Sequence, residues 1–148
     1  MGAISKDSII IKQHENGQKI NFASIQKEAV DSKDKELTQV NRDQMRSGRM
    51  GNGSLPDYSA KSQVLKDRSN YKAKWPTMDL YDEGSFQGKM FMETTSKSVL
   101  FDSRDSKTSD LVRRFSEQIF ELDTKSLRLA QNITTPTYNN LVHKELNK

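Results

Sequence analysis

The sequence predicts an α+β fold in which a long N-terminal helix and further helices pack on a small antiparallel β-sheet. Apolar residues recur three or four positions apart after Phe22 and again after Leu111, which is the spacing of amphipathic helices. Between these stretches lie two β-prone runs, residues 89–95 and 98–103, separated by only two residues as in a β-hairpin. Helices and a hairpin in one short chain indicate a helical layer on a sheet.

The composition limits how much apolar surface this fold can bury. The chain has 148 residues, of which 32% are hydrophobic and 30% charged, and its formal net charge is +4. This length suits one domain of ordinary size. So low an apolar content predicts a small core, and we expect association with other copies to bury what one chain leaves exposed.

Three regions are expected: an N-terminal arm (1–21), an α+β domain (22–135) and a C-terminal helical tail (136–148). The arm holds one β-branched cluster, Ile9 to Ile11, before a polar, turn-prone stretch. No apolar run exceeds three residues, far below the roughly 20 that a membrane-spanning helix needs. We therefore expect no membrane contact and, without an apolar leader, a chain that stays in the cytoplasm where it is made.

The long helix is expected over residues 22–46. Asn21 or Ser24 is suited to cap its start, and Gly48 to end it. Lys33 interrupts an otherwise regular apolar stripe. Four residues are expected to pack the helix against its neighbours: Phe22, Ile25, Leu37 and Val40.

Residues 47–57 hold three of the seven glycines and one of the three prolines, which predicts a loop. Ser59 is placed to cap a second helix that ends before Trp75, because a residue that precedes proline disfavours helical geometry. A short third helix is expected from Thr77 to Tyr81.

The second half predicts the hairpin and two more helices. Thr108 or Ser109 is expected to cap a helix that continues to Leu122, and Asp123 or Thr124 to cap the next. Pro136 should kink or break that last helix. Three aromatic residues are expected to fill the core that faces the sheet: Phe86, Phe91 and Phe101.

Residue types exclude several kinds of chemistry. The chain has no cysteine, which removes disulfides, thiol catalysis and cysteine-based metal sites. His14 and His143 lie at opposite ends of the chain, without carboxylates at metal-ligand spacing. The glycines from Gly48 to Gly53 follow a helix and lack the Lys-Ser or Lys-Thr of a phosphate loop. We therefore predict no enzyme and no catalytic, cofactor-binding or metal-binding residue.

Acidic residues cluster at two places, around Asp79, Asp82 and Glu83 and around Asp102 and Asp105. We interpret both clusters as solvated surface. A hydrolase that uses Asp79 or Asp82 is the weakest alternative, because no partner base or metal ligand is identifiable.

Basic residues concentrate in one part of the chain. Residues 41–76 carry eight basic and three acidic residues, a net charge of +5, whereas the remainder of the chain sums to −1. Tyr58, Tyr71 and Trp75 are interleaved with them and are suited to stack on bases. The alternative function is therefore a small basic nucleic-acid-binding protein, whose binding would weaken steeply with salt. The candidate contacts with DNA or an acidic partner are Arg46, Arg49, Lys61 and Arg68.

The order of motifs between Arg42 and Phe101 adds a family resemblance. Arg42-x-Gln44-Met45 closes the long helix, a glycine loop leads to Leu55-Pro56-Asp57-Tyr58-Ser59, a lysine-bearing helix follows, and residues 78–86 precede the hairpin. This order resembles the phage virion morphogenesis and tail-completion family, best known from phage Mu. Residues 53–59 and 80–86 occupy the places of that family's loop and turn motifs.

The resemblance implies a virion structural protein of the neck or tail-completion type. Such a protein forms a homo-oligomeric ring at the head-tail junction, joins the head connector to tail proteins and is assembled into the virion in the host cytoplasm. Contact with DNA in the channel is possible in that setting. We expect the hairpin edge near Met90 and Met92 to add to the sheet of a neighbouring subunit.

Overall fold

A computed structural model describes residues 2–6, 20–68, 77–81 and 84–148, and it confirms the α+β fold. Side chains are described for all of these residues except 66–68. The strands are β1 (Gly2–Ser5), β2 (Arg49–Met50), β3 (Gly53–Ser54), β4 (Met90–Thr94) and β5 (Ser98–Ser103). The helices are α1 (Phe22–Asp31), α2 (Asp34–Arg46), α3 (Ala60–Arg68), α4 (Ser85–Gly88), α5 (Thr108–Phe115) and α6 (Thr124–Leu146), with a 3₁₀ turn at Glu117–Ile119.

The main sheet is antiparallel, with strand order β1-β5-β4. The predicted hairpin is therefore confirmed as β4 and β5, and the first residues of the chain complete the sheet. Phe101 lies opposite Gly2 on one side and Met92 on the other, so these residues share the buried face. Phe91 lies on the opposite face and is half-buried, with the Arg104 guanidinium carbon 4.7 Å from the centre of its ring. The prediction that Phe91 belongs to the core was therefore wrong.

The expectation of one long N-terminal helix was also wrong. Ser32 and Lys33 form a turn that separates α1 from α2, and the longest helix in the described residues is α6 at the C-terminus. The break falls at Lys33, where a charged side chain interrupts the apolar stripe. Both predicted ends are confirmed: Asn21 accepts a hydrogen bond from Ser24 N (3.1 Å), and Gly48, with φ of 71°, stops α2 in a conformation that favours glycine.

Helix α6 continues through Pro136 to Leu146, so the expected break does not occur. Proline removes one backbone donor, but tertiary packing holds the helix on both sides of it. Its buried stripe consists of Ser126, Ala130, Thr134, Tyr138 and Val142, and α6 packs on α1 and α2. Asp123 caps the helix as predicted, accepting from Ser126 N at 2.8 Å.

Three further local predictions were wrong. Thr77–Tyr81 is not helical; Thr77 pairs with Asp57 in an isolated β-bridge. Helix α5 ends at Phe115, because Ser116 adopts a φ of 65°, and its start is not capped by a side chain. The predicted loop at 47–57 is present, and it also contains the small hairpin β2-β3.

One core lies between the sheet and the helices. Of the predicted core residues, Ile25, Leu37, Val40, Phe86 and Phe101 are buried, and Phe22 is half-buried. Ile9 to Ile11, Tyr71 and Trp75 lie outside the described residues. Within the described ranges, no helix is long and apolar enough to span a bilayer.

Candidate functional site

A surface groove of about 550 Å³ lies between the start of α3, the 77–81 segment, α4 and α5. Its lining is mostly apolar. The principal apolar residues are Leu65, Met78, Leu80, Phe86, Leu111 and Phe115. A concave apolar surface of this size is typical of a binding site.

A hydrogen-bond network around Asp79 shapes one wall of the groove. Tyr58 Oη donates to Asp79 Oδ1 at 2.6 Å, and Tyr81 N donates to the same oxygen at 3.2 Å. Gln87 Nε2 donates to the Asp79 carbonyl at 2.8 Å. These bonds hold the chain on both sides of Leu80, whose φ of 51° is unusual for a residue with a side chain. Asp79 is buried, so the prediction that it belongs to solvated surface was wrong.

Positive charge lies along the α5 side of the groove. Lys107 and Arg114 both line it and are exposed, and we call this pair the cationic rim. On α3, Lys61 is exposed one helical turn before Leu65. Asp57 is the acidic residue that lines the groove within the described part of the chain.

Apolar surface extends from the groove onto α3. Leu65 lines the groove yet has 60% of its surface exposed, and the adjacent Val64 is also more than half exposed. Large apolar side chains that stay in solvent beside an apolar groove are typical of a protein contact surface.

Two of the predicted DNA-facing arginines have partners within the chain. The Arg46 guanidinium group lies 4.3 Å from the centre of the Tyr81 ring. Arg49 forms a salt bridge with Asp123. Burial alone would raise the pKa of Asp123, but hydrogen bonds from Ser126 and Arg49 outweigh it and lower the pKa. Arg49 is therefore a structural residue that ties β2 to the start of α6.

Of the other predicted contact residues, one is exposed and two are buried. Lys61 is exposed, as a contact residue should be, and the Arg68 side chain lies outside the described residues. Met90 and Met92 are only 5% and 9% exposed, because their side chains point into the core. Their side chains are therefore not available to an interface, and the predicted addition of a strand at the edge of β4, which uses the backbone, stays a prediction.

The second acidic cluster contains an ion pair between a buried carboxylate and an exposed lysine. Asp105 is buried, which contradicts its prediction as solvated surface, and it binds Lys89 Nζ at 3.1 Å. A hydrogen bond from the Lys107 backbone N–H and the Lys89 ammonium group lower the pKa of Asp105 from 3.8 to about 2. Since Lys107 belongs to the cationic rim, this carboxylate helps to position the rim.

The lowered pKa predicts a loss of stability in acid. Ionised Asp105 stabilises the fold fully above its unfolded-state pKa of 3.8, and this contribution is lost as the pH falls towards 2. We expect the melting temperature of the wild-type protein to fall more between pH 5 and pH 2 than that of Asp105→Asn, measured by circular dichroism. Asp110→Asn, an exposed change on α5, is the control and should follow the wild type. Parallel curves for Asp105→Asn and the wild type would contradict the assignment.

No group of three histidine, cysteine or acidic side chains in the described residues is placed to hold a metal ion. Comparison of the chain with protein-family models, curated proteins and solved structures gives no match.

Proposed function

We propose that this chain is a non-enzymatic virion structural protein of the phage head-tail junction, of the neck or tail-completion type. Its copies form a ring, and the ring joins the head connector to the tail. The order of motifs from Arg42 to Phe101 supports this assignment through its resemblance to the tail-completion family. The observation that carries it is the groove, because the described residues leave its apolar surface open in a chain of which only 32% is hydrophobic.

Two different surfaces serve the two kinds of contact in this proposal. The edge strand β4 meets the neighbouring subunit of the ring. Arg42 donates to the Met90 carbonyl at 3.1 Å, so we expect the added strand to pair beyond Met90. The groove and Leu65 meet a different protein, above or below the ring.

Assembly with the head connector tests this function. We expect light scattering at high protein concentration to show a closed oligomer, and electron microscopy of the protein mixed with connector to show a ring on it. Leu65→Asp should keep the ring but lose a neighbour that docks in the groove. Leu129→Asp is the matched control, because Leu129 is 50% exposed on α6 and does not line the groove. A strict monomer that joins neither connector nor tail particles would overturn the proposal.

A further inference from the structure

We propose that the groove binds an acidic amphipathic segment of another protein, with apolar side chains inside the groove and carboxylates on the cationic rim. The inference rests on the docking role proposed above and names the chemistry of the partner. The occupant is a peptide segment, neither a second copy of this chain nor a small aliphatic acid.

The dimensions of the groove fit a few apolar side chains. Its volume of about 550 Å³ lies within the range of roughly 300–1,000 Å³ seen for ligand sites. Its lining includes the aromatic rings of Tyr58, Tyr81, Phe86 and Phe115. Walls built from helices α3, α4 and α5 suit an amphipathic segment that inserts apolar anchors between them.

The extent of the apolar surface favours a peptide over a small molecule. Leu65 lines the groove, but Val64 does not, and both are largely exposed. A fatty acid held inside the cavity would leave Val64 in water. A peptide that crosses the groove and continues over α3 covers both residues.

Charge complementarity selects an acidic partner. Lys107 and Arg114 line one side, and Lys61 is exposed on α3, against the single carboxylate of Asp57 among the described lining residues. A second copy that inserted its own α3 would bring Lys61 towards the cationic rim. Juxtaposed like charges oppose such a complex, whereas glutamate or aspartate side chains would be attracted to the rim.

Two labelled synthetic peptides test the inference by fluorescence anisotropy. Both carry leucine and phenylalanine at positions i, i+3 and i+7; one has glutamate at the flanking positions and the other lysine. We expect the glutamate peptide to bind at least tenfold more tightly in low salt. That difference should shrink at high ionic strength, because salt screens the rim charges.

Neighbouring arginines on α5 provide a matched pair of variants. Arg114→Glu reverses a charge on the rim, removes the contact of its guanidinium group with the Phe115 ring (5.0 Å from the ring centre), and should weaken binding of the glutamate peptide about tenfold. Arg113→Glu makes the same change one residue away, on a side chain that is 80% exposed, pairs with Asp110 and does not line the groove. It should leave affinity within twofold of the wild type. Circular dichroism of both variants checks that they fold.

Four results would overturn the inference. They are equal or tighter binding of the lysine peptide; equal losses from the two arginine variants; saturable binding of decanoate without binding of either peptide; and self-association that Leu65→Asp abolishes while neither peptide binds. The assembly experiment and the peptide experiment distinguish failure of the proposed function from failure of this inference. A ring that joins the connector but prefers the lysine peptide would support the proposed function and contradict this inference. A monomer that joins no connector but binds the glutamate peptide would contradict the proposed function and support this inference.

Discussion

Replacing Phe120 with alanine is expected to lower the free energy of unfolding by about 3–5 kcal/mol, the usual effect of emptying a large aromatic site in a core. Phe120 is completely buried just after the 3₁₀ turn. Its ring centre lies 5.9 Å from that of Phe86, which lines the groove. Its carbonyl accepts a hydrogen bond from Asn41 Nδ2 at 2.5 Å, which joins this turn to α2.

Urea denaturation at one fixed protein concentration measures this loss, since oligomerisation would otherwise change the apparent stability. Phe91→Ala is the control: its ring is half-buried on the other face of the sheet, so we expect a loss of about 1 kcal/mol. Equal losses from the two variants would contradict the placement of Phe120 in the core.

Replacing Gln44 with leucine is expected to lower the free energy of unfolding by roughly 2–4 kcal/mol, because two part-buried backbone groups would lose their hydrogen-bond partner. Gln44 Nε2 donates to the Glu121 carbonyl at 2.7 Å, and Gln44 Oε1 accepts from Asp123 N at 2.8 Å. The side chain is fully buried, so water does not replace it. These two bonds fix the segment that leads into α6.

Gln39→Leu, on the same helix, is the matched control for Gln44→Leu. The Gln39 side chain is exposed and donates to Asp43 Oδ1 within α2, so the variant should stay within about 0.5 kcal/mol of the wild type in the same urea experiment. A Gln44→Leu variant as stable as Gln39→Leu would mean that Gln44 does not bridge α2 to the segment before α6.

Several local signals predicted local structure correctly, although those for a helix at 77–81 and for a side-chain cap on α5 did not. The hairpin β4-β5 and the caps at Asn21, Ser59 and Asp123 each depend on residues within a few positions of one another. Predictions that depend on packing between residues far apart in the sequence were less successful. Pro136 was expected to kink or break α6, yet the helix is not broken, because its buried stripe is held by α1 and α2.

The candidate site was the least predictable part of the molecule, for the same reason. Arg49 lies in the basic part of the sequence and was therefore predicted to contact DNA. Its salt-bridge partner, Asp123, lies 74 residues further along the chain, so the sequence did not indicate this pair. Tyr58 resembled a base-stacking residue and instead hydrogen-bonds Asp79, 21 residues further on. The apolar spacing after Leu111 predicts an amphipathic helix, but nothing in that spacing indicates that Leu111 and Phe115 line a groove.

The strand order also decides when the sheet can form during translation. Gly2 pairs with Phe101, and the central strand β5 is the last of the three to be synthesised. Until the ribosome has released β5, β1 and β4 have no partner between them. Nascent chains arrested before residue 98 should therefore lack this sheet altogether, so that their first strand remains a target for chaperones.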